Sequence, residues 1–375
     1  MNAQNIDNKP KVTKESKNKI RVEFERTPLK ERLKAKFLSL FFLKKVVWYL
    51  FRLVLLIGIS YIVLFPFFTK IAGSFMAPDD FVDVTVRLIP KNFTLDTYKA
   101  IWVDQHYLQA FTNTLFLSLS TALIQTFICC LVGYGLAKFK FKGNKLVFMA
   151  VIFSLVIPHQ TLQLSMFMNF RYFDIFGIGN FLNGGGINFF GKNFCPEFMK
   201  SIDIIPDTFE KFLDGAQGLK LTDSYWPLII LSLCGLAFKN GLYIFMLRQF
   251  FRGVPDELEE SAYIDGSGVM HTFFTIILPL SVPMMITVFL FAFSWQWTDD
   301  FYTTVFFTDS SDIVLMPKIV GIPSSLDTDY AGQNLYEAAI RNTCGIMIIL
   351  PLIVMYLFCQ RYLVQGIERS GLTAD

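Results

Sequence analysis

The sequence predicts an all-α integral membrane protein with six transmembrane helices, and three observations support this prediction. First, 53% of the 375 residues are apolar, Phe alone accounts for 42 of them, and only 17% are charged, against roughly 25% in a soluble domain. Second, apolar runs of about 20 residues, long enough to cross a hydrocarbon core of roughly 30 Å, recur along the chain. Third, basic and acidic residues collect in different connecting segments.

The apolar runs fix the expected order of elements. A basic tail over residues 1–45 precedes a transmembrane domain over 46–375, and a surface helix over Leu95–Thr112 separates the first two spans. The six predicted spans cover residues 47–69, 111–137, 146–168, 226–247, 275–297 and 343–363.

The distribution of charge predicts the orientation of these spans. Residues 1–45 carry thirteen basic and five acidic side chains, and the turn at 138–145 carries four basic and no acidic ones. Residues 299–341, in contrast, carry seven acidic and two basic side chains. Because short cytoplasmic segments are rich in Lys and Arg, both termini are expected in the cytoplasm. The tail lacks the pattern of a cleaved signal, so we expect it either to attract an anionic inner leaflet or only to fix orientation.

Residues 169–225 form an unusually long segment that is expected on the outer face. The run GIGNFLNGGGINFFGKN is rich in Gly and Asn, which favour turns. Pro206 and Asp207 then open a short amphipathic pattern that Gly215 would end. An outer loop of this length is usually either functional or disordered, and both readings remain open.

One charged residue is expected inside a span. Lys239 lies 13 residues after Trp226 and 9 before Arg248, so in a continuous helix it would lie about 13 Å from Arg248 along the axis. A lysine facing lipid at that depth is costly, so its side chain should face protein or water. We therefore expect Lys239 and its neighbour Asn240 either to line a transport cavity or, for the lysine, to be structurally paired or to extend to the interface.

Residues 250–274 form a polar loop between two apolar spans. Pro255 suits a first helical turn, and the acidic side chains that follow it favour the positive end of a helix. Asp265 and Gly266 should end this helix, because Gly enters the left-handed region without steric cost. The pattern predicts a short helix lying on the cytoplasmic face, with a glycine hinge before the next span.

Catalytic and metal-binding patterns are not evident in the sequence. The three histidines, His106, His159 and His271, are widely separated, which argues against a metal site. There is also no serine-nucleophile elbow. The segment GINFFGKN approaches a phosphate-binding loop but has Asn193 in place of the hydroxyl residue, and no strand is expected before it. We therefore expect no enzymatic activity, no bound metal and no nucleic-acid partner.

The polar loop resembles a known motif. Glu260, Ser261, Ala262, Asp265 and Gly266, with the downstream Ile277-Leu278-Pro279, are similar to the E-A-A-x-x-D-G-A…I-x-L-P loop of bacterial ABC importer permeases. Further matches resemble the shorter permease of the maltose-type carbohydrate importers: the run from Ala110 to Thr114, the run from Gly133 to Gly143, Phe245 to Phe251 and the tail around Gln360 to Leu372. An apparent insertion at about 178–222 and Thr298 of the Trp297-Thr298-Asp299 run depart from that pattern.

This resemblance implies a type I ABC importer permease that moves a carbohydrate across the bacterial cytoplasmic membrane. The helix over 255–268 would couple it to a separate ATPase through Glu260, Ser261, Ala262, Asp265 and Gly266. The implied partners are a second homologous permease, two cytoplasmic ATPase subunits that hydrolyse ATP, an extracytoplasmic sugar-binding protein and the lipid bilayer, and no cofactor is expected on this chain. Two alternatives remain: a permease of the same architecture for a polyol, glycerol phosphate or peptide-like solute, or a proton-coupled carrier or membrane enzyme.

Overall fold

A computed structural model describes residues 12–15, 19–22, 40–174, 187–189, 192–194, 219–237, 239–308, 312–326, 328 and 333–369. The chain divides into two units, Met1–Thr69 and Lys70–Asp375. In the first unit, strands β1 (Val12–Glu15) and β2 (Lys19–Val22) pair antiparallel, with Val12 opposite Val22. Helix α1 (Leu40–Gly73) begins in this unit and contains Pro66. The hydroxyl of Thr69 donates to the carbonyl oxygens of Phe65 and Pro66, one turn back.

Helices dominate the second unit. The helices that follow α1 are α2 (Asp96–Asp104), α3 (Tyr107–Lys138), α4 (Asn144–Val156), α5 (Gln163–Arg171), α6 (Trp226–Leu233), α7 (Asn240–Arg252), α8 (Glu257–Ile264), α9 (Val269–Thr272), α10 (Leu278–Trp297), α11 (Phe301–Phe306) and α12 (Gln333–Arg369). A π-helical turn over Phe273–Ile277 joins α9 to α10. The prediction of one surface helix over Leu95–Thr112 is wrong, because His106 adopts a left-handed φ of 50° and separates α2 from α3.

Helix α3 occupies the centre of the second unit and packs against α6, α7 and α10. Its buried residues join those of α7, α10 and α12 in one apolar core that includes Cys129, Tyr243, Val288 and Cys344. The approach of α3 to α7 is close at Gly133, where an added Cβ would lie 2.9 Å from the Cβ of Leu247. Glycine at this position therefore lets the two backbones pack directly.

The predicted third span is bent. Helix α4 and the segment His159–Arg171, which contains α5, are long and apolar enough to cross a membrane only together, and they meet at 93°. Pro158 accounts for the bend, because a residue before proline is disfavoured in the α region. Ile157 accordingly ends α4 with extended backbone angles, φ −69° and ψ 121°.

The predicted fourth span is divided into α6 and α7, so its prediction as one continuous helix over 226–247 is wrong. Gly235 has a φ of +71°, and the Gly235 and Leu236 amides donate to the carbonyl oxygens of Ser232 and Leu231. This pair of hydrogen bonds around a left-handed glycine is the Schellman motif that ends helices. Lys239 also has a positive φ, 65°, where α7 begins.

Four helical stretches are long and apolar enough to cross a membrane: 44–73, 107–138, 269–297 and 333–363. The bent α4–α5 pair brings the number to five among the described residues. Most of the predicted insertion at 178–222 lies outside those residues. Within it, strands β3 (Ile187–Phe189) and β4 (Lys192–Phe194) form an antiparallel pair, and Leu219 forms a bridge with Phe173.

Candidate coupling surface and membrane cavity

The polar loop contains the predicted short helix, α8. Asp256 stands at its N-cap position, and Glu257, Glu259 and Glu260 occupy its first turn, where carboxylates favour the positive end of the helix dipole. Its C-terminal end carries a second Schellman motif: the Gly266 and Ser267 amides donate to Tyr263 and Ala262 carbonyl oxygens at 3.0 and 2.9 Å. The left-handed conformation expected for Gly266 is confirmed by its φ of +84°.

Consecutive acidic residues on α8 have different environments. Glu259 is buried, at 7% exposure, together with Ala262 on the same face. Glu260 and Ser261 are exposed, and the Ser261 hydroxyl donates to the Glu257 carbonyl oxygen at 2.7 Å. The helix thus packs one face against the protein and presents the other, with Glu260, to the exterior.

Lys138, the last residue of α3, holds the packed face of α8. Its Nζ donates to the Val254 carbonyl oxygen and to Asp256 Oδ1, both at 2.6 Å, and lies 3.7 Å from Glu259 Oε1. The Lys138 side chain is only 6% exposed. Burial raises the pKa of the Glu259 carboxyl, although Lys138 opposes that shift. The hydrogen bond from Lys138 lowers the pKa of exposed Asp256.

A second set of contacts joins the same ends of α3, α4 and α7. The carbonyl oxygen of Leu136 accepts from Arg248 Nε at 3.3 Å and from Asn144 Nδ2 at 3.3 Å. The guanidinium carbon of Arg248 lies 3.8 Å from the centroid of the Phe148 ring, within the range of a cation–π contact. These contacts hold the ends of α3, α4 and α7 together.

The outward face of the loop combines acidic and apolar groups. Ile264 is 86% exposed and Met270 is 63% exposed, and Leu258 and Tyr263 are partly exposed. Glu260 and Asp265 are exposed beside them. Apolar side chains surrounded by polar ones are typical of a protein interaction site, so this face is suited to packing against a partner.

The break before α7 places Lys239 in a different setting from the one expected. Because the helix is interrupted, the axial distance of about 13 Å from Arg248 that assumes continuous rise does not apply. The Lys239 Nζ lies 5.0 Å from the centroid of the Trp295 ring. Asn240 is 1% exposed, and neither polar atom of its side chain has a hydrogen-bond partner among the described residues. Their role in a cavity stays a prediction.

Trp295 also lines a small polar cavity at the end of α10. The other lining residues are Gln125, Ala292, Gln296, Asp299 and Tyr302. Asp299 Oδ2 accepts from the Tyr302 and Thr303 amides at 3.1 and 3.3 Å. Burial raises the pKa of the Asp299 carboxyl to about 7 against these hydrogen bonds. Tyr302 OH lies 3.1 Å from Nδ1 of His159, the residue after the Pro158 bend.

Sequence reasoning identified α8 but missed two groups that the structure brings to notice. In the sequence Lys138 is one of four basic residues in a turn, and its pairing with Asp256 and Glu259 joins positions more than 110 residues apart. Asp299 belongs to the Trp297-Thr298-Asp299 run, and its position two residues after Trp297 at a span end is a usable signal. Among the described residues, no group of three or more His, Cys, Asp or Glu side chains is placed to hold a metal ion.

Several bacterial proteins are similar in sequence to this chain. The chain is similar to protein LplC of Bacillus subtilis, 26% identical over 82% of this chain and 89% of that protein. It is similar to the polygalacturonan/rhamnogalacturonan transport system permease protein YtcP (25%; 83% and 93%) and the arabinooligosaccharides transport system permease protein AraQ (26%; 84% and 92%), both of the same organism.

The fold is similar to that of a chain from the crystal structure of a bacterial ABC transporter involved in the import of the acidic polysaccharide alginate. The TM-score is 0.60 at 18% identity, over 85% of this chain and 97% of that chain. The model of one family, the binding-protein-dependent transport system inner membrane component, matches residues 130–369. These residues include the α8 loop and the bent and divided helices around it, and the chain belongs to this family of importer membrane subunits.

Proposed function

We propose that this chain is a permease subunit of an ABC importer that moves a carbohydrate across the bacterial cytoplasmic membrane. The observation that carries the proposal is the α8 loop: an eight-residue helix that is fixed to α3 by Lys138 and ended by left-handed Gly266. The relatives named for arabinooligosaccharide, galactooligosaccharide and alpha-glucoside transport support the substrate class.

In this function the outward face of α8 packs into a cytoplasmic ATPase. Glu260, Ser261, Ala262, Asp265 and Gly266 form the coupling segment, with Ala262 packed inward and the others exposed to the partner. Two ATPase subunits bind and hydrolyse ATP, and this chain performs no catalysis and binds no cofactor. ATP shifts the permease between inward-open and outward-open states because it binds one of them better.

The proposed topology has six spans with both termini in the cytoplasm. Four continuous helices, the bent α4–α5 pair and the divided α6–α7 pair supply these six passages. The excess of Lys and Arg in 1–45 and 138–145 supports this orientation. A second, homologous permease completes the translocation pathway, and an extracytoplasmic binding protein delivers the sugar.

An affinity tag on the chain in its native membrane tests the assembly. We expect co-isolation of a second permease and an ATPase, and ATP hydrolysis that a loaded sugar-binding protein stimulates. Proteoliposomes should then accumulate a sugar only with ATP inside the compartment that the ATPase faces. A chain that isolates alone and drives uptake from a proton gradient would refute the proposal. Accumulation of a polyol or peptide instead of a sugar would refute the substrate class alone.

The proposed cavity includes Lys239, and a single cysteine tests it. In a background with the native cysteines replaced by Ser or Ala, Lys239→Cys should react with a small hydrophilic thiol reagent. The labelling rate should change when ATP closure is trapped, and Lys239→Met should alter uptake without preventing assembly. A cysteine that stays unlabelled in every trapped state, together with normal transport by Lys239→Met, would assign the lysine a structural role.

A further inference from the structure

Buried polar side chains lie between α3 and α8, beneath the coupling loop. Tyr134 is 4% exposed and lies four residues before Lys138 on α3, and Glu259 is 7% exposed on α8. Because residues four apart are neighbours on a helix surface, Tyr134 lies beside the lysine that holds α8. Tyr263 lies four residues after Glu259, so these two side chains of α8 are also neighbours. Each helix thus brings two polar side chains to the contact.

Two polar atoms in this contact are buried without a hydrogen-bond partner among the described residues: the Tyr134 hydroxyl and Glu259 Oε1. The Glu259 carboxylate interacts electrostatically with the Tyr134 hydroxyl, and the Tyr263 hydroxyl approaches it without the full geometry of a hydrogen bond. Lys138 Nζ lies 3.7 Å from Glu259 Oε1 and already makes two shorter hydrogen bonds, both at 2.6 Å. Buried polar groups without partners are destabilising, so this arrangement favours a small movement that pairs them.

The hydrogen-bonding capacity of these groups fits a single chain. A tyrosine hydroxyl donates one hydrogen bond and can accept another, whereas an ionised carboxylate only accepts. Tyr263 can therefore donate to Tyr134, and Tyr134 can donate to Glu259 Oε1. Since Glu259 and Tyr263 belong to the same eight-residue helix, one shift of α8 towards α3 would close both bonds.

The ring of Tyr134 is held by three phenylalanine rings. Its centroid lies 5.6 Å from that of Phe139, 5.5 Å from that of Phe251 and 4.9 Å from that of Phe273, within the range of favourable aromatic pairs. Phe251 and Phe273 are themselves buried, at 0% and 1% exposure. The Tyr134 hydroxyl is therefore a fixed point against which α8 can move.

Tyr263 connects this buried contact with the outward face of the loop. Its side chain is 39% exposed next to Ile264, which is 86% exposed, whereas its hydroxyl approaches buried Tyr134. A partner that packs on this face covers the Tyr263 ring and presses α8 towards α3. Contact with the partner and approach to Tyr134 thus involve the same side chain.

We infer that docking of the ATPase closes a hydrogen-bond chain from Tyr263 through Tyr134 to Glu259, which makes Tyr134 a positioning residue for the coupling helix. The inference rests on the proposed function and adds to it a residue that is too buried to contact the partner. With the chain closed, Tyr134 as well as Lys138 fixes α8 to α3. Movement of the ATPase is then passed to α3 and is not lost in rotation of α8 alone.

Removal of single hydroxyl groups tests this inference. Tyr134→Phe and Tyr263→Phe keep the ring and delete one hydroxyl, and binding of the purified permease complex to immobilised ATPase is measured by surface plasmon resonance. We expect Tyr134→Phe to lower the affinity by roughly tenfold and Tyr263→Phe to lower it by less. The double variant should bind no more weakly than Tyr134→Phe, because that variant already lacks both bonds.

The melting temperature of the permease without ATPase separates this role from a purely structural one. It should be unchanged in Tyr134→Phe, because the hydroxyl has no hydrogen-bond partner among the described residues of the unpartnered chain. Glu259→Gln should bind the ATPase more tightly than Glu259→Ala does, since the amide oxygen can still accept from Tyr134.

Tyr243→Phe is the matched control. The Tyr243 hydroxyl is also buried, at 0% exposure, without a hydrogen-bond partner among the described residues, but it belongs to α7. This variant should bind the ATPase as the wild type does. Wild-type affinity in Tyr134→Phe, a further loss on addition of Tyr263→Phe, or a lower melting temperature of Tyr134→Phe would each overturn the hydrogen-bond chain while leaving the importer function in place. A wild-type permease that binds no ATPase would instead refute the proposed function.

Discussion

At the residue scale, the coupling loop depends on which of two adjacent glutamates faces the protein. Glu259 lies against Lys138 and Glu260 is exposed, although the sequence presents them as an equivalent pair. A helical rotation of about 100° between neighbours is enough to separate their environments. The sequence motif indicated Glu260 as the partner-facing residue, but only the position of Lys138 reveals the role of Glu259.

Gly266 supports a prediction with a close control. Nothing lies within 4 Å of a Cβ built at Gly266, so Gly266→Val would be strained only through its φ of +84°, at a cost of about 1–2 kcal/mol. We expect the variant to insert normally but to lose transport and bind the ATPase weakly. Gly268→Val should retain both, because Gly268 has equally open space and a φ of −78°. Wild-type uptake by Gly266→Val would contradict the coupling role.

Asp299 supports a pH-dependent prediction. Burial raises its pKa in the folded protein to about 7, whereas an aspartate in an unfolded chain titrates near 3.9. The protonated carboxyl therefore stabilises the folded state at low pH, and this contribution is lost as the pH rises through about 7. We expect the melting temperature in detergent to fall between about pH 4 and pH 7, where the folded state holds this proton and the unfolded state does not. Asp299→Asn should remove that part of the decline, and exposed Asp312→Asn should leave it unchanged. Equal slopes for wild type and Asp299→Asn would contradict this account.

At the element scale, two helices end with the same motif, and the sequence predicted only one of them. Gly266 follows a polar helix, so the Asp-Gly stop was evident, whereas Gly235 lies inside a continuous apolar run. Hydropathy measures length and composition, and it does not detect a left-handed residue within a span. Pro158 was similarly hidden in the third run. The four continuous spans and α8 could be predicted because each has a uniform residue pattern between clear ends. The interruptions at Gly235 and Pro158 could not be predicted, because these residues lie inside uniform apolar runs.

The contact between α3 and α8 predicts a change in coupling. Lys138→Met leaves Glu259 buried without a counter-charge, which costs about 1–3 kcal/mol or more, so α8 should detach from α3. We expect uptake to fall by roughly tenfold at unchanged membrane insertion, with less import per ATP hydrolysed. Lys138→Arg should retain much of the activity.

The matched control is Lys140→Met, which removes an exposed lysine from the same turn and should behave as wild type. The double variant with Lys138→Met and Glu259→Gln should recover part of the lost coupling, because no buried charge is then left alone. If Lys138→Met imports sugar with wild-type coupling, the ion pair has no part in holding α8.

At the scale of the whole molecule, α3 contacts the α8 loop at one end and the segment after α11 at the other. The Lys138 end of this helix meets α8, and its Asn113 and Thr114 end binds the chain near Val314 and Met316 through two hydrogen bonds, at 3.0 and 2.8 Å. One long helix therefore connects the partner-facing loop to the segment after α11, which gives a continuous packed route between them.

The segment over 178–222 is the prediction that belongs to this scale. Its length and turn-rich composition suggest that it contacts the binding protein or caps the cavity mouth, and the alternative is a disordered loop. A shortened loop should leave ATPase assembly intact and weaken docking of the binding protein, measured by surface plasmon resonance on the purified complex. Unchanged docking and uptake would make the insertion passive.

The π-helical turn at Phe273–Ile277 contains one residue more than a regular α-helical turn would need. A π turn closes its hydrogen-bonded ring with one residue more than an α turn. Conversion of this turn to regular α-helix would advance the chain by one residue, which corresponds to about 1.5 Å of rise and about 100° of rotation. The extra residue lies between Gly266 and α10. Its release would rotate and shift α8, while the buried side chains of α10 keep their packing against α3.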